Sequence, residues 1–245
     1  MVKQSSQNVF RKRRSVVVFV LFAILLVVGI NPGFYHDTPP VASTPPVVLS
    51  DLDLRTPKAS DELDKIEVKG RAPKTGYSRS EFGDGWANVG ACDLRNIMLS
   101  RGMTDVVLSE DNCIVLSGTL NDPYTGKIIQ FTRGSSTSSD VQIDHVVALS
   151  DSWQKGAQNL SYETRVKLAN DPLNLLPVEG KANQEKGDSD AASWLPANKS
   201  FRCQYVARQI AVKSKYGLWI TEAEKASIKR VLNGCGEQVI PIEKN

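Results

Sequence analysis

A chain of 245 residues, 41% of them hydrophobic and 23% charged, has room for one or two domains. Its net charge of +3 belongs to the first 14 residues: without Lys3, Arg11, Lys12, Arg13 and Arg14, 25 Lys and Arg face 27 Asp and Glu, about −2. That balance excludes attraction of polyanions by overall charge and leaves a local basic surface, for which residues 181–230, with ten Lys/Arg against five Asp/Glu, are available.

In chain order, the N-terminal cations precede an apolar run from Val16 to Ile30. A positive segment followed by a hydrophobic one is the pattern of an export signal, so residues 1–30 are expected to be a signal peptide or a signal anchor. The run is shorter than the roughly 20 residues of a comfortable membrane span. Against that, Asn31-Pro32-Gly33-Phe34 offers no small-x-small cleavage site, and both outcomes stay open. Either way the protein is expected outside the cytoplasm, secreted or held by one N-terminal segment on the outer face of the cytoplasmic membrane. Residues 31–62, with Pro39-Pro40, Pro45-Pro46 and Pro57, read as a disordered tether, because this composition buries little apolar area. One folded domain is expected over residues 63–245.

Within it, Leu94, Ile97 and Met98 predict a helix over Ala91–Arg101. Cys113–Leu120 and Lys127–Arg133 read as strands joined by the turn residues Asn121-Asp122-Pro123-Tyr124-Thr125-Gly126, a hairpin. A polar loop, Gly134–Ser139, leads to a third strand, Val141–Leu149. Helices follow at Ser161–Ala169, stopped by Asn170-Asp171-Pro172, and at Phe201–Tyr216. A last helix, opened by the capping box Thr221-Glu222-Ala223-Glu224, runs to Leu232. Strands first and helices later predict an α+β fold. None of the four cysteines forms a C-x-x-C pair, which argues against a zinc knuckle. In an exported chain they read as disulfides. Of three possible connectivities, Cys92–Cys113 with Cys203–Cys235 closes two local segments and is the expected one.

The candidate chemistry centres on His145, the one imidazole of the expected domain, since His36 falls in the tether. Asp144-His145 lies in the apolar run Val141-Gln142-Ile143-Asp144-His145-Val146-Val147-Ala148-Leu149, where neither group is buried cheaply without partners. Asn174 interrupts a second apolar run, Pro172–Pro177, and Asn183 follows nine residues later on a short helix. Asp and Asn oxygens suit a hard cation such as Mg²⁺, and a neutral imidazole suits proton abstraction. Neighbours in a regular strand point to opposite faces, so Asp144 and His145 serve one site only if the strand bends or ends there.

Asp144-His145, Asn174 and Asn183 resemble the H-N-N form of the HNH (His-Me finger) endonuclease signature. Arg71-Ala72-Pro73-Lys74-Thr75-Gly76-Tyr77, Asp122–Gly126, Asn170–Leu175 and Trp194-Leu195-Pro196 are similar to exported bacterial proteins of that family, from about residue 63 to 235. The resemblance implies a ββα-metal finger embedded in one domain, with an N-terminal hairpin and C-terminal helices. It implies His145 as the general base and Asn174 as its brace. Asp144 and Asn183 would be ligands of one divalent ion, Mg²⁺ or else Mn²⁺. Lys186, Arg95 and Arg133 become candidates for substrate phosphate. The implied partner is nucleic acid, DNA ahead of RNA, cut with little sequence specificity by a monomer. The membrane is a second partner if the N-terminal segment stays attached.

The sequence leaves two alternatives, one catalytic and one not. Ser135–Ser139 with His145 suggests a serine hydrolase, but no G-x-S-x-G elbow exists and Asp144 is badly placed to orient its neighbour. A non-catalytic surface-binding module would use Trp86, Trp153, Trp194 and Trp219 to line a glycan groove.

Overall fold

A computed structural model describes residues 56–242. The export segment, His36 and most of the tether lie outside the described residues. The end of the expected tether is not irregular: Ala59–Lys65 forms helix α1, with Ala59 and Leu63 fully buried. These two residues are four apart and share one helix face. Asp61 and Glu62 in the first turn and Lys65 in the last complement the helix dipole. Ordered structure therefore begins several residues before Leu63.

Short strands β1 (Asn88–Val89) and β2 (Cys92–Asp93) lead into helix α2 (Leu94–Gly102). That helix starts later than predicted because Asp93 caps it, its carboxylate accepting from Asn96 N at 2.8 Å. The predicted hairpin is present as β4 (Val115–Asn121) and β5 (Ile128–Thr132), antiparallel, and β3 (Thr104–Leu108) adds an unpredicted third strand on the far edge of β4. Asp122 builds the hairpin turn. Its Oδ2 accepts from Thr125 N at 2.8 Å, and its Oδ1 accepts from Glu179 N at 2.9 Å, tying the turn to a second sheet.

That second sheet holds the sequence-predicted site. Strand β6 (Val141–His145) pairs antiparallel with β7 (Leu175–Glu179), Val141 opposite Glu179 and His145 opposite Leu175. Between them come α3 (Leu149–Trp153) and α4 (Tyr162–Ala169), the latter capped by Ser161. Helix α5 (Gly180–Lys186) follows β7 without a break. A Cβ on Gly180 would lie 2.0 Å from Ser139 O, so only glycine lets α5 start this close to the chain entering β6. Helices α6 (Arg202–Tyr216) and α7 (Glu222–Leu232) close the domain, α6 stopping at Gly217 in the left-handed conformation and α7 capped by Thr221 as predicted. The architecture is α+β, as expected.

The apolar core has three parts. One gathers α1, α6 and α7 around Leu63, Val206, Ile210 and Ile228. Another sits between α2 and both sheets, around Leu99, Phe131, Val141 and Leu175. The third surrounds α3 and α4 with Phe82, Val147, Trp153 and Leu168. Residues 141–147 touch all three, through Val141, Val146 and Val147. Both expected disulfides form, Cys92–Cys113 with Cα atoms 4.9 Å apart and Cys203–Cys235 at 5.7 Å. Each restricts the unfolded chain by about 3 kcal/mol.

Candidate active site

The strand expected to reach Leu149 ends at His145. Asn174, just ahead of β7, ends it: its main-chain oxygen accepts from Val146 N and its side-chain oxygen from Val147 N, both at 2.8 Å. Its amide nitrogen donates back to Val147 O at 3.3 Å and to Leu168 O at 3.4 Å. A fully buried Asn thus fixes the turn that carries His145 and removes the regular alternation.

The two neighbours then take different surroundings. His145 Nε2 lies 2.9 Å from the Ala169 carbonyl, which can only accept, so Nε2 carries the proton and Nδ1 keeps its lone pair. The indole of Trp86 stacks on the imidazole, centroids 5.7 Å apart and planes 12° apart. Burial pushes the His145 pKa down to about 4, against the pull of the Ala169 hydrogen bond, and the charges of Arg79 and Lys186 act in the same direction as burial. The ring is neutral at pH 7.

Asp144 is buried between two donors. Lys186 Nζ is 2.9 Å from its Oδ1, and the Tyr124 hydroxyl donates to its Oδ2 in a short bond. Burial raises the Asp144 carboxyl above its ordinary range, opposed by both donors. Lys186 also donates to His145 O at 2.9 Å and is only 1% exposed. Its ammonium is spent inside the protein, so it does not present itself to a phosphate. Asn183, on α5, donates to Gln142 Oε1 at 2.8 Å, which leaves its own amide oxygen available.

A cavity of about 460 Å³ opens beside these groups, bordered among others by His145, Asp144, Asn183, Trp86, Arg95 and Arg79. Arg95 is half-buried. Its Nη2 donates to Val141 O at 3.2 Å, while its Nη1 is buried with no hydrogen-bond partner. Arg133 lies elsewhere, bonded to Val115 O at 2.7 Å and to Asn96 Oδ1 at 2.5 Å, where it holds β4 to α2. Much of the cation excess of residues 181–230 is engaged by partners within the protein. Lys186 and Lys213 are buried in ion pairs, Lys225 and Lys229 pair with Asp64, and Arg208 donates to Leu175 O. The cations at the cavity rim, Arg79 and Arg95, come from the N-terminal half instead.

A divalent cation would meet an all-oxygen set here. Among the described residues no group of three His, Cys, Asp or Glu side chains is placed to hold a metal ion. Each Asp144 oxygen retains a second lone pair beyond the hydrogen bond it accepts, and Asn183 borders the same cavity. One carboxylate and one amide oxygen fit an ion that keeps much of its own water, as Mg²⁺ does.

Reading the sequence alone missed Tyr124, Arg79 and the place of Trp86. Tyr124 stands in the Asp122–Gly126 turn, whose residues signal a hairpin and not a buried clamp on Asp144. The four tryptophans line no common groove. Trp153 packs edge-on to Tyr77 and Phe82, Trp194 packs on Tyr124 and Tyr205, and Trp219 lies under Lys69. In the Ser135–Ser139 loop the Ser138 hydroxyl caps the local backbone, accepting from Gly134 N at 3.0 Å.

No solved structure matches the chain. The "Uncharacterized secreted protein" of Arthroderma benhamiae is 36% identical over 201 residues, covering 81% of this chain and 92% of its own length. That relative is fungal, whereas the resemblance in the sequence pointed to bacterial proteins. Residues 96–231, more than half of the chain, match the family described as GmrSD restriction endonucleases, C-terminal domain. This span contains Asp144, His145 and Asn183 and leaves out Tyr77, Arg79, Trp86 and Arg95 of the cavity wall, and by it the chain belongs to that nuclease family.

Proposed function

We propose that the protein is an exported endonuclease that hydrolyses phosphodiester bonds, DNA ahead of RNA, with His145 as general base and the β6–β7–α5 unit acting as a ββα-metal finger. The observation that carries this reading is the fixed tautomer of His145: a neutral imidazole with a free Nδ1, at the edge of a cavity that also holds Asp144, Asn183 and two arginines. The secreted relative supports export.

In the reaction, His145 Nδ1 takes a proton from water. The water oxygen bonds to phosphorus as the bond to the leaving sugar oxygen breaks, and that oxygen takes its proton from solvent. Arg79 and the half-buried Arg95 guanidinium, both at the cavity wall, offset charge on the phosphate. Asn174 keeps His145 in register, and Lys186 with Tyr124 holds the Asp144 carboxylate in place. Asp144 and Asn183 would hold one Mg²⁺ or Mn²⁺, which supplies Lewis-acid stabilisation of the phosphate oxygens.

The test is nicking of supercoiled plasmid by the full-length protein in Mg²⁺, in Mn²⁺ and in EDTA. Cleavage in either metal and none in EDTA is expected. Full activity in EDTA would remove the metal from the reading. No cleavage of plasmid or of RNA in either metal would remove the nuclease and leave the non-catalytic binding module.

The depressed His145 pKa sets the pH dependence. The base works unprotonated, so activity is lost only as pH falls through about 4. We expect kcat/KM to stay flat from pH 8 to near 5, where an imidazole of ordinary pKa, about 6.5, would already have lost about 30-fold. A half-point near 6.5 would show that the ring is not desolvated in the working enzyme.

A further inference from the structure

A second cavity, of about 200 Å³, adjoins the first. Arg79, Trp86, His145 and Leu149 border both, so the two meet at the general base. A space of this size has room for one planar heterocycle. Its remaining walls are Phe82, Ala169 and two glycines. Gly83 and Gly85 have φ of 99° and 139°, conformations that keep side chains out, and a Cβ on Gly85 would meet nothing within 4 Å. The hollow is thus held open by backbone that a larger residue would adopt only with strain.

The chemistry of the walls is selective. Phe82 and Trp86 offer aromatic surface, and Leu149 and Ala169 add apolar surface. The polar groups are few: Ala169 O is taken by His145 Nε2, and no Asp, Glu, Asn or Gln side chain borders the space. Arg79 stands at the wall common to both cavities and forms no ion pair among the described residues. An aromatic, uncharged, planar group joined to an anion held by Arg79 fits this arrangement. In a nucleic acid, that group is the base next to the phosphate under attack.

We propose that the second cavity is a nucleobase subsite, which receives one unpaired base adjoining the scissile phosphate. The inference rests on the nuclease reading above. Aromatic stacking accepts every base through its π face. With no side chain to read a base edge by paired hydrogen bonds, the subsite recognises that a base is present and not which base it is. A base paired and stacked in a duplex must first leave the helix to enter, a cost that single strands largely escape. Single-stranded or locally unpaired nucleic acid is then the preferred substrate class.

The experiment uses the full-length wild-type protein and an end-labelled single-stranded DNA carrying one internal abasic residue, with cleavage read bond by bond beside the unmodified strand. One of the two linkages flanking the abasic residue should be cut at least tenfold more slowly than the same linkage in the unmodified strand, while distant linkages are cut equally. A 5-iododeoxyuridine at that position, irradiated in EDTA, should crosslink to Trp86 or Phe82. Equal cutting at both flanking linkages overturns the subsite and leaves the nuclease standing, and so does a crosslink confined to residues outside this cavity. No cleavage of either strand at any linkage overturns the nuclease reading itself.

Discussion

Replacing His145 by alanine should lower the rate of plasmid nicking by about 10²–10⁴-fold, the usual contribution of a positioned general base. No second imidazole lies among the described residues, since the other histidine of the chain is His36. The remaining titratable side chains at the cavity are poor substitutes. Asp144 is clamped by Lys186 and Tyr124, and Asp188 accepts from Lys74 at 3.2 Å and Ser150 at 3.0 Å, which hold its carboxyl below the ordinary range. The fold should survive the change. His145 contributes one hydrogen bond, to Ala169 O, and one stacking contact, with Trp86. Loss of the hydrogen bond costs about 1 kcal/mol, so circular dichroism should be unchanged and the melting temperature should fall by only a few degrees. Activity within twofold of wild type would rule out His145 as the base. A collapse in both activity and melting temperature would make the comparison one of stability, and His145→Gln would then separate the two.

Much of this site was legible because its residues break local rules. A carboxylate and an imidazole in an apolar run, then a lone Asn in another, ask for partners that water does not provide: Asp144 finds Lys186 and Tyr124, His145 finds Ala169 O and Trp86, and Asn174 finds the backbone at Val146, Val147 and Leu168. Capping signals placed Ser161 and Thr221 within one residue of their helices, because a cap is a contact between near neighbours. What stayed hidden depends on contacts between residues far apart in the chain. Strand β3 is irregular, with Asp105 at φ 52° and shifted register against β4, so its alternation is weak. Helix α1 holds two buried residues that only α6 and α7 make sense of. Lys186 reads as a candidate for substrate phosphate one helical turn from Asn183, yet its partner is 42 positions earlier. Trp86 precedes His145 by 59 positions, and no periodicity announces that their rings stack.

The largest stability effect should come from Lys155, a residue that neither pattern nor motif singles out. Its ammonium is fully buried, 2.8 Å from Asp151 Oδ1, 2.7 Å from Asp190 Oδ2 and 2.5 Å from Glu224 Oε2. Lys213 reaches Glu224 at 3.1 Å, and Arg71 reaches Asp190 at 2.8 Å and Asp151 at 3.0 Å. Burial alone would raise the Asp190 carboxyl; Lys155 and Arg71 reverse that and hold it below its ordinary value. This cluster joins α3, the segment after α5, α6, α7 and the stretch around Arg71. Lys155→Ala leaves three buried carboxylates sharing two cations, and removing one partner of a buried ionic group costs about 3–5 kcal/mol. At roughly 2–4 °C per kcal/mol for a domain of this size, the melting temperature should drop by about 6–20 °C at pH 7. The sign of the pH dependence follows. A depressed carboxyl stabilises the fold above its ordinary pKa and loses that contribution as pH falls through its folded value. In the variant Asp190 loses Lys155, so burial raises its carboxyl, which protonates in milder acid and relieves the buried charge. The gap between wild type and variant should therefore narrow from pH 7 to pH 5. A drop under 2 °C, or a gap that widens in acid, would mean that Arg71 and Lys213 satisfy all three carboxylates. Asp188, at the cavity rim, lies two residues from Asp190, so the same cluster anchors the segment that follows Asn183 and Lys186. In conditions cold enough to keep Lys155→Ala folded, its kcat should stay far closer to wild type than that of His145→Ala, which separates the charge that holds the site in place from the base that works in it.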